Sequence, residues 1–226
     1  MKQIVDFYQS LTPQVHSSIW ITLFLLVVII AIRIAMRHYT VEKPPHGVVL
    51  LVENFVAMMN DFTKNIIGKR WKSLAPYFLT LAIYLFVANI SGLFGLMPPT
   101  TSLTVTLSLA LITFALVQIF GIKTQGILGY LKGFAEPIPL LLPINILSEF
   151  ASVLSLSFRL FGNILSGAIL STLLYSFLGG FAVLITPPVH LIFDIMFGLL
   201  QTVVFCMLSA VYIANKMPEE EVEYFD

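Results

Sequence analysis

Between Pro137 and Asn215 the chain carries only three formal charges, Glu149, Arg159 and Asp194. A soluble domain devotes about a quarter of its residues to charge. A stretch this bare cannot cover itself with polar surface, so lipid must be part of its solvent. The rest of the sequence agrees, being 58% hydrophobic and 11% charged, with a mean hydropathy of +0.94. The class implied is an all-α membrane protein.

Apolar runs fall at about 18–36, 74–97, 102–122, 144–178 and 181–215, each long enough for a membrane helix of roughly 20 residues. Arg33, Arg37 and His38 follow the first run where a signal peptide would have a small-residue cleavage site, so that run reads as a permanent anchor. Arg33, Arg37, Lys43, Lys64, Lys69, Arg70 and Lys72 crowd one segment, which the positive-inside rule assigns to the cytoplasm. Pro98 to Thr101 and Gly179-Gly180 then fall outside, while Lys123, Lys132 and Lys216 fall inside. This predicts five spans with the N-terminus out and the C-terminus in. Trp20 and Trp71 sit at the expected interfaces.

Between the first two spans, Val48, Val52, Phe55, Met59, Phe62 and Ile66 recur at spacings of four and three. They form one apolar stripe on an amphipathic helix, expected on the cytoplasmic membrane surface or against the other helices. The organisation predicted is a single integral membrane domain, 1–226. Its parts are an anchor with the amphipathic helix (1–73), a hairpin (74–122), a long helix pair (137–215) and an acidic cytoplasmic tail (216–226). As helices, the last two apolar runs would measure about 52 Å each against a hydrocarbon core of about 30 Å. They are expected to tilt strongly or bend, offering a broad face to another membrane object.

Arg159 lies deep in the fourth run. Arginine at a helix centre costs about 2.5–3.5 kcal/mol on insertion scales, and guanidinium does not escape by deprotonating. It needs a carboxylate partner, water or both; a structural ion pair between helices is the competing reading. Glu149 precedes it by ten positions, about 80° off its face on an ideal helix. Ser152 and Ser155 follow Glu149 at spacings of three, together forming a candidate wet path. Asn163 lies one turn beyond Arg159, and the small residues Gly162, Ser166 and Gly167 permit close helix approach. On the fifth run Asp194 and Gln201 project from one side, with His190 one turn earlier. A buried carboxylate and a histidine suit a proton relay, with a hydrogen-bonded stripe joining helices as the alternative. Asn89 and Ser91 interrupt the second run, as path residues or as interhelical hydrogen bonders. Cys206, the single cysteine, reads as a small packing residue.

The run Ser157-Phe158-Arg159-Leu160-Phe161-Gly162-Asn163 resembles subunit a of bacterial F-type ATP synthases. So do Asn89 to Leu93, Thr104 to Leu107, Gly129 to Gly133, Glu136-Pro137, and Gln201 with Tyr212, in the same order over roughly residues 70–215. The resemblance implies an ion-translocating stator subunit in the bacterial inner membrane. Its partners would be a rotating c-ring bearing carboxylates, subunit b of the peripheral stalk, and the lipid bilayer. Arg159 would favour the deprotonated ring carboxylate and block leakage. Asp194, Gln201, Asn163 and Asn89 would line an outer half-channel, and Glu149, Ser152 and Ser155 an inner one. The transported ion would be H+ in preference to Na+. Many relatives carry glutamate where this chain has Ala168 and histidine where it has Asp194, so the outer path here would rest on one acid. The Lys-Pro pair common before the arginine is replaced by Ser152-Val153.

Other classes fit less of the sequence. Zero net charge leaves no nucleic-acid footprint. No phosphate-binding glycine loop, nucleophile–base set or metal-ligand cluster is present in the sequence, so no enzyme, metal or cofactor is expected. A stand-alone secondary transporter or proton channel remains the alternative, but the halves show no internal repeat.

Overall fold

The computed structural model describes residues 12–36, 47–135, 138–218 and 222. Six long α-helices run through these residues, with short 3-10 turns between them and no strand among the described residues. They are α1 (Pro13–Met36), α2 (Val48–Ile67), α3 (Trp71–Ile90), α4 (Leu103–Ala135), α5 (Leu142–Leu178) and α6 (Ala182–Ala214). Five stretches are long and apolar enough to cross a membrane. In lipid a helix satisfies its own backbone donors and acceptors, which is why such runs adopt it.

The hydroxyls along these helices are handled the same way. Thr22, Thr80, Ser108, Ser166, Thr172 and Ser176 are all exposed. Each donates to the carbonyl four residues earlier, at 2.8–3.0 Å. Back-bonding of this kind spares a polar group from facing hydrocarbon unpaired.

α5 packs between α4 and α6, α3 packs between α2 and α6, and α1 leans on α3. The shared core holds Phe78 and Leu85 of α3, Leu160 of α5, and Phe205 and Ile213 of α6, all fully buried. Cys206 is buried within it as a packing residue. Apolar burial drives little association in lipid, so close packing and interhelical hydrogen bonds carry it. Ser18 meets Tyr84 at 2.7 Å between α1 and α3. Tyr77 donates to Thr113 at 2.7 Å between α3 and α4, since the Thr113 hydroxyl is engaged with the Leu109 carbonyl. Thr106 and Ser157 join α4 to α5 at 3.1 Å. α1 otherwise shows lipid an apolar wall, with Trp20, Phe24 and Val27 more than half exposed.

The amphipathic stripe packs on protein except at its start, where Val48 is exposed. Met59, Thr63 and Ile67 of α2 are buried and Phe55, Phe62 and Ile66 half-buried, whereas Glu53, Asp61 and Lys64 face outward. α2 therefore lies against α3 and α6, one of the two placements its pattern allows.

α4 departs from the expected span. The apolar run ends near position 122, yet the helix continues to Ala135 across a break at Gly126, whose φ of 73° and ψ of 165° are open essentially to glycine alone. The segment 127–135 folds back on its own helix and sets Tyr130 against Gly121. A Cβ at Gly121 would stand 2.7 Å from the Tyr130 ring. At the other end of the long pair, Gly179 at φ 54° turns α5 into α6.

Candidate functional site

Two clefts with polar residues in their lining flank the middle of α5. The first, of about 440 Å³, lies toward the Gly179 turn and is lined by Asn89, Thr101, Asn163, Ser166, Asp194 and Gln201, among others. The second, of about 430 Å³, lies toward the opposite end of the α5–α6 pair. Its polar lining includes Thr113, Asn145, Glu149, Ser152, Tyr212 and Lys216. On α5 the second cleft stops at Leu156 and the first begins at Asn163, about 10 Å of helix rise apart. Arg159 lies in that gap and lines neither cleft.

In the first cleft three helices contribute amides. Asn163 of α5 donates to Gln201 Oε1 of α6 at 2.7 Å. Asn89 of α3 accepts from Thr100 at 3.1 Å and donates weakly, at 3.4 Å, to the Gly198 carbonyl. Gly198 permits this close crossing, since a Cβ there would lie 3.1 Å from that of Asn89. Gln201 is buried, and its Nε2 has no hydrogen-bond partner among the described residues. Asp194 is partly buried in the same cleft, its Oδ2 3.9 Å from where a Gly92 Cβ would stand. Ala168 lines this wall too, leaving Asp194 as the cleft's one carboxylate among the described residues. Ser91 does not reach across helices: its hydroxyl donates to the Ala88 carbonyl in its own turn. The His190 side chain lies outside the described residues.

In the second cleft Glu149 is held from two sides. One oxygen pairs with Lys216, just past the end of α6, and the other accepts from Gln118 of α4 at 2.9 Å. Ser152 donates to the Glu149 backbone carbonyl at 2.7 Å. Ser155 is exposed and lies outside the lining. Gln118 and Lys216, which hold the carboxylate, did not emerge from the sequence as site residues. The one available signal was an amide interrupting the apolar run of α4.

Arg159 is half-buried between exposed Phe158 and fully buried Leu160. No described residue gives it an ion pair or hydrogen bond, so the competing ion pair with Glu149 or Asp194 is not formed; Glu149 instead pairs with Lys216. Ser148, Ser152, Ser155, Arg159, Gly162 and Ser166 recur at spacings of three and four, making one stripe on α5. A Cβ at Gly162 or Gly167 would meet nothing within 4 Å. The small residues thus leave open space that no described helix of this chain fills. Beside the stripe, Leu147, Phe150, Leu154, Phe158, Leu165 and Ile169 form an uncovered apolar band. This is the arrangement of a cation on the uncovered face of a membrane subunit.

Comparison with known proteins gives the family. The family model described as ATP synthase A chain matches residues 18–214. ATP synthase subunit a of Anoxybacillus flavithermus is 35% identical over 93% of this chain and 95% of its own length. That of Bacillus pumilus is 31% identical over 94% of this chain and 96% of its own. The sodium-ion-specific subunit a of Propionigenium modestum is 33% identical over 93% of this chain and 75% of its own. With an arginine bare of partners among the described residues and likeness along nearly the whole chain, the protein belongs to the ATP synthase subunit a family, the non-catalytic membrane subunit of the Fo sector.

Proposed function

We propose that the two clefts are the half-channels of an ion-translocating stator subunit, with Arg159 as the charged divide between them. The observation that carries the reading is the position of Arg159: mateless among the described residues, beside open space, about midway between two clefts that hold polar residues at opposite ends of the helix pair.

In this reading a carboxylate on a neighbouring c-ring passes the open stripe of α5. The guanidinium, a fixed positive field, favours its ionised form and so releases its ion toward one cleft and accepts the next from the other. Arg159 changes no protonation of its own. Asp194 receives H+ from outside through the cleft it shares with Asn89, Asn163 and Gln201, and His190 lies at its outer approach. Glu149 and Ser152 pass H+ toward the cytoplasm, with Ser155 on the shared stripe beside Arg159. The chain lies in the bacterial inner membrane, N-terminus out and C-terminus in, with α5 and α6 tilted against the ring and subunit b completing the stator. Each charge crossing 100 mV releases about 2.3 kcal/mol, which rotation accumulates for ATP synthesis.

The test is R159A in the assembled synthase. ATP-driven H+ pumping is expected to fall below detection while the complex still co-purifies with its c-ring; wild-type pumping by R159A overturns the reading. The ion is tested in the same preparation. ATP hydrolysis unaffected by Na+ at alkaline pH supports H+, and stimulation by Na+ reassigns the clefts to sodium.

A further inference from the structure

We propose that Lys216 is a positioning residue of the second cleft, holding the Glu149 carboxylate in place through a cage built by the folded-back end of α4. The inference rests on the reading of that cleft as an ion path.

Lys216 stands just past the end of α6 and is fixed at both ends. Its backbone carbonyl accepts from the Gln125 side-chain amide at 2.9 Å. Its ammonium pairs with Glu149 and lies 4.5 Å from the Phe134 ring centre and 5.6 Å from that of Tyr130. Cations over aromatic faces are attracted to them, more so when shielded from water. Both side chains of the pair are largely buried, 26% and 13% exposed, so solvent screens the pair only partly. The second Glu149 oxygen is set by Gln118, whose own carbonyl oxygen accepts from Tyr130. Asn145, one turn before Glu149, ties α5 to the same fold-back by donating to the Phe134 carbonyl at 2.9 Å.

The break at Gly126 and the bare backbone of Gly121 make the cage possible. Gly121 brings the Tyr130 ring against α4 and leaves 3.3 Å between its would-be Cβ and that of Lys216. An ion passing Glu149 meets a carboxylate whose two oxygens are committed to a cation and an amide. Lys216 therefore fixes where the carboxylate stands and returns it there after each transfer. The lysine touches no transported ion itself.

The experiment is a double-mutant cycle on H+ flux through F1-depleted Fo in membrane vesicles, with co-purification of the c-ring reporting assembly. K216M is expected to lower flux about tenfold, K216R to keep it within about twofold of wild type, and E149Q to lower it at least as much as K216M. Because Lys216 acts through Glu149, K216M is expected to lower flux no further in the E149Q background. Wild-type flux in K216M beside a damaged E149Q overturns the role of Lys216 and leaves the ion path standing. A further tenfold loss in the double variant, or K216R as poor as K216M, also overturns it. Unchanged flux in E149Q removes the path and the proposal together. If K216M fails to assemble, K216Q, closer in polarity to the original side chain, carries the same comparisons.

Discussion

The side-chain amide of Asn163 donates to Gln201 Oε1 at 2.7 Å, pinning α5 to α6 one turn beyond Arg159. Interhelical hydrogen bonds in membranes average about 0.6 kcal/mol and reach about 1.7. Gln201→Leu removes the acceptor and should destabilise the assembled complex by that order while changing ion flux more than stability. Thermal unfolding of purified complex, measured beside flux in vesicles, checks this. Equal flux in wild type and Q201L would reduce the bond to a structural tie.

Asp194 is the carboxylate of the first cleft. Asp194→Asn keeps the shape and removes the exchangeable carboxylate, so uptake from that side should slow at least tenfold with assembly intact. Unchanged flux with an unchanged dependence on external pH would show that H+ does not pass by Asp194.

Gly121 and Gly126 are needed for different reasons, and their variants should fail differently. Gly121 is a matter of space, since a Cβ would stand 2.7 Å from the Tyr130 ring. Gly121→Ala should cost about 1–3 kcal/mol through overpacking and loosen the fold-back. Faster hydrogen exchange in segment 127–135 is the expected reading.

Gly126 is a matter of backbone angle, for a Cβ there meets nothing within 4 Å while φ is 73°. Gly126→Ala should cost about 1–3 kcal/mol and tend to straighten α4, drawing Tyr130 away from Gln118. Exchange should then rise in 127–135 and also around Lys216, which that segment cages.

Much of this fold is legible because membrane helices announce themselves by what they lack. The charge-poor stretch and the paired glycines at 179–180 mark out α5 and α6 to within a few residues of Leu142–Leu178 and Ala182–Ala214. Periodicity finds most of the packed face of α2, from Phe55 to Ile66, but includes exposed Val48 and omits buried Thr63 and Ile67. The end of α4 was hidden: the apolar run stops near position 122, and nothing local says that a helix resumes after Gly126 and doubles back. In the site, helical spacing groups Asp194 with Gln201 and Glu149 with Ser152, and each pair shares a cleft. Spacing could not exclude Ser155, which sits on the right stripe but faces outward. It could not reveal Lys216 either, because that ion pair joins residues far apart in sequence and depends on how three helices meet.

The hydroxyls of Ser166, Thr172 and Ser176, each folded onto the preceding turn of α5, give this helix a mechanical property. A neighbour passing any of these three turns finds methyls, methylenes and hydroxyls whose protons are already spoken for. It can advance without first breaking a directional bond and re-forming it a step later. In the reading proposed above, the helix would serve as a bearing, with Arg159 as its charged detent.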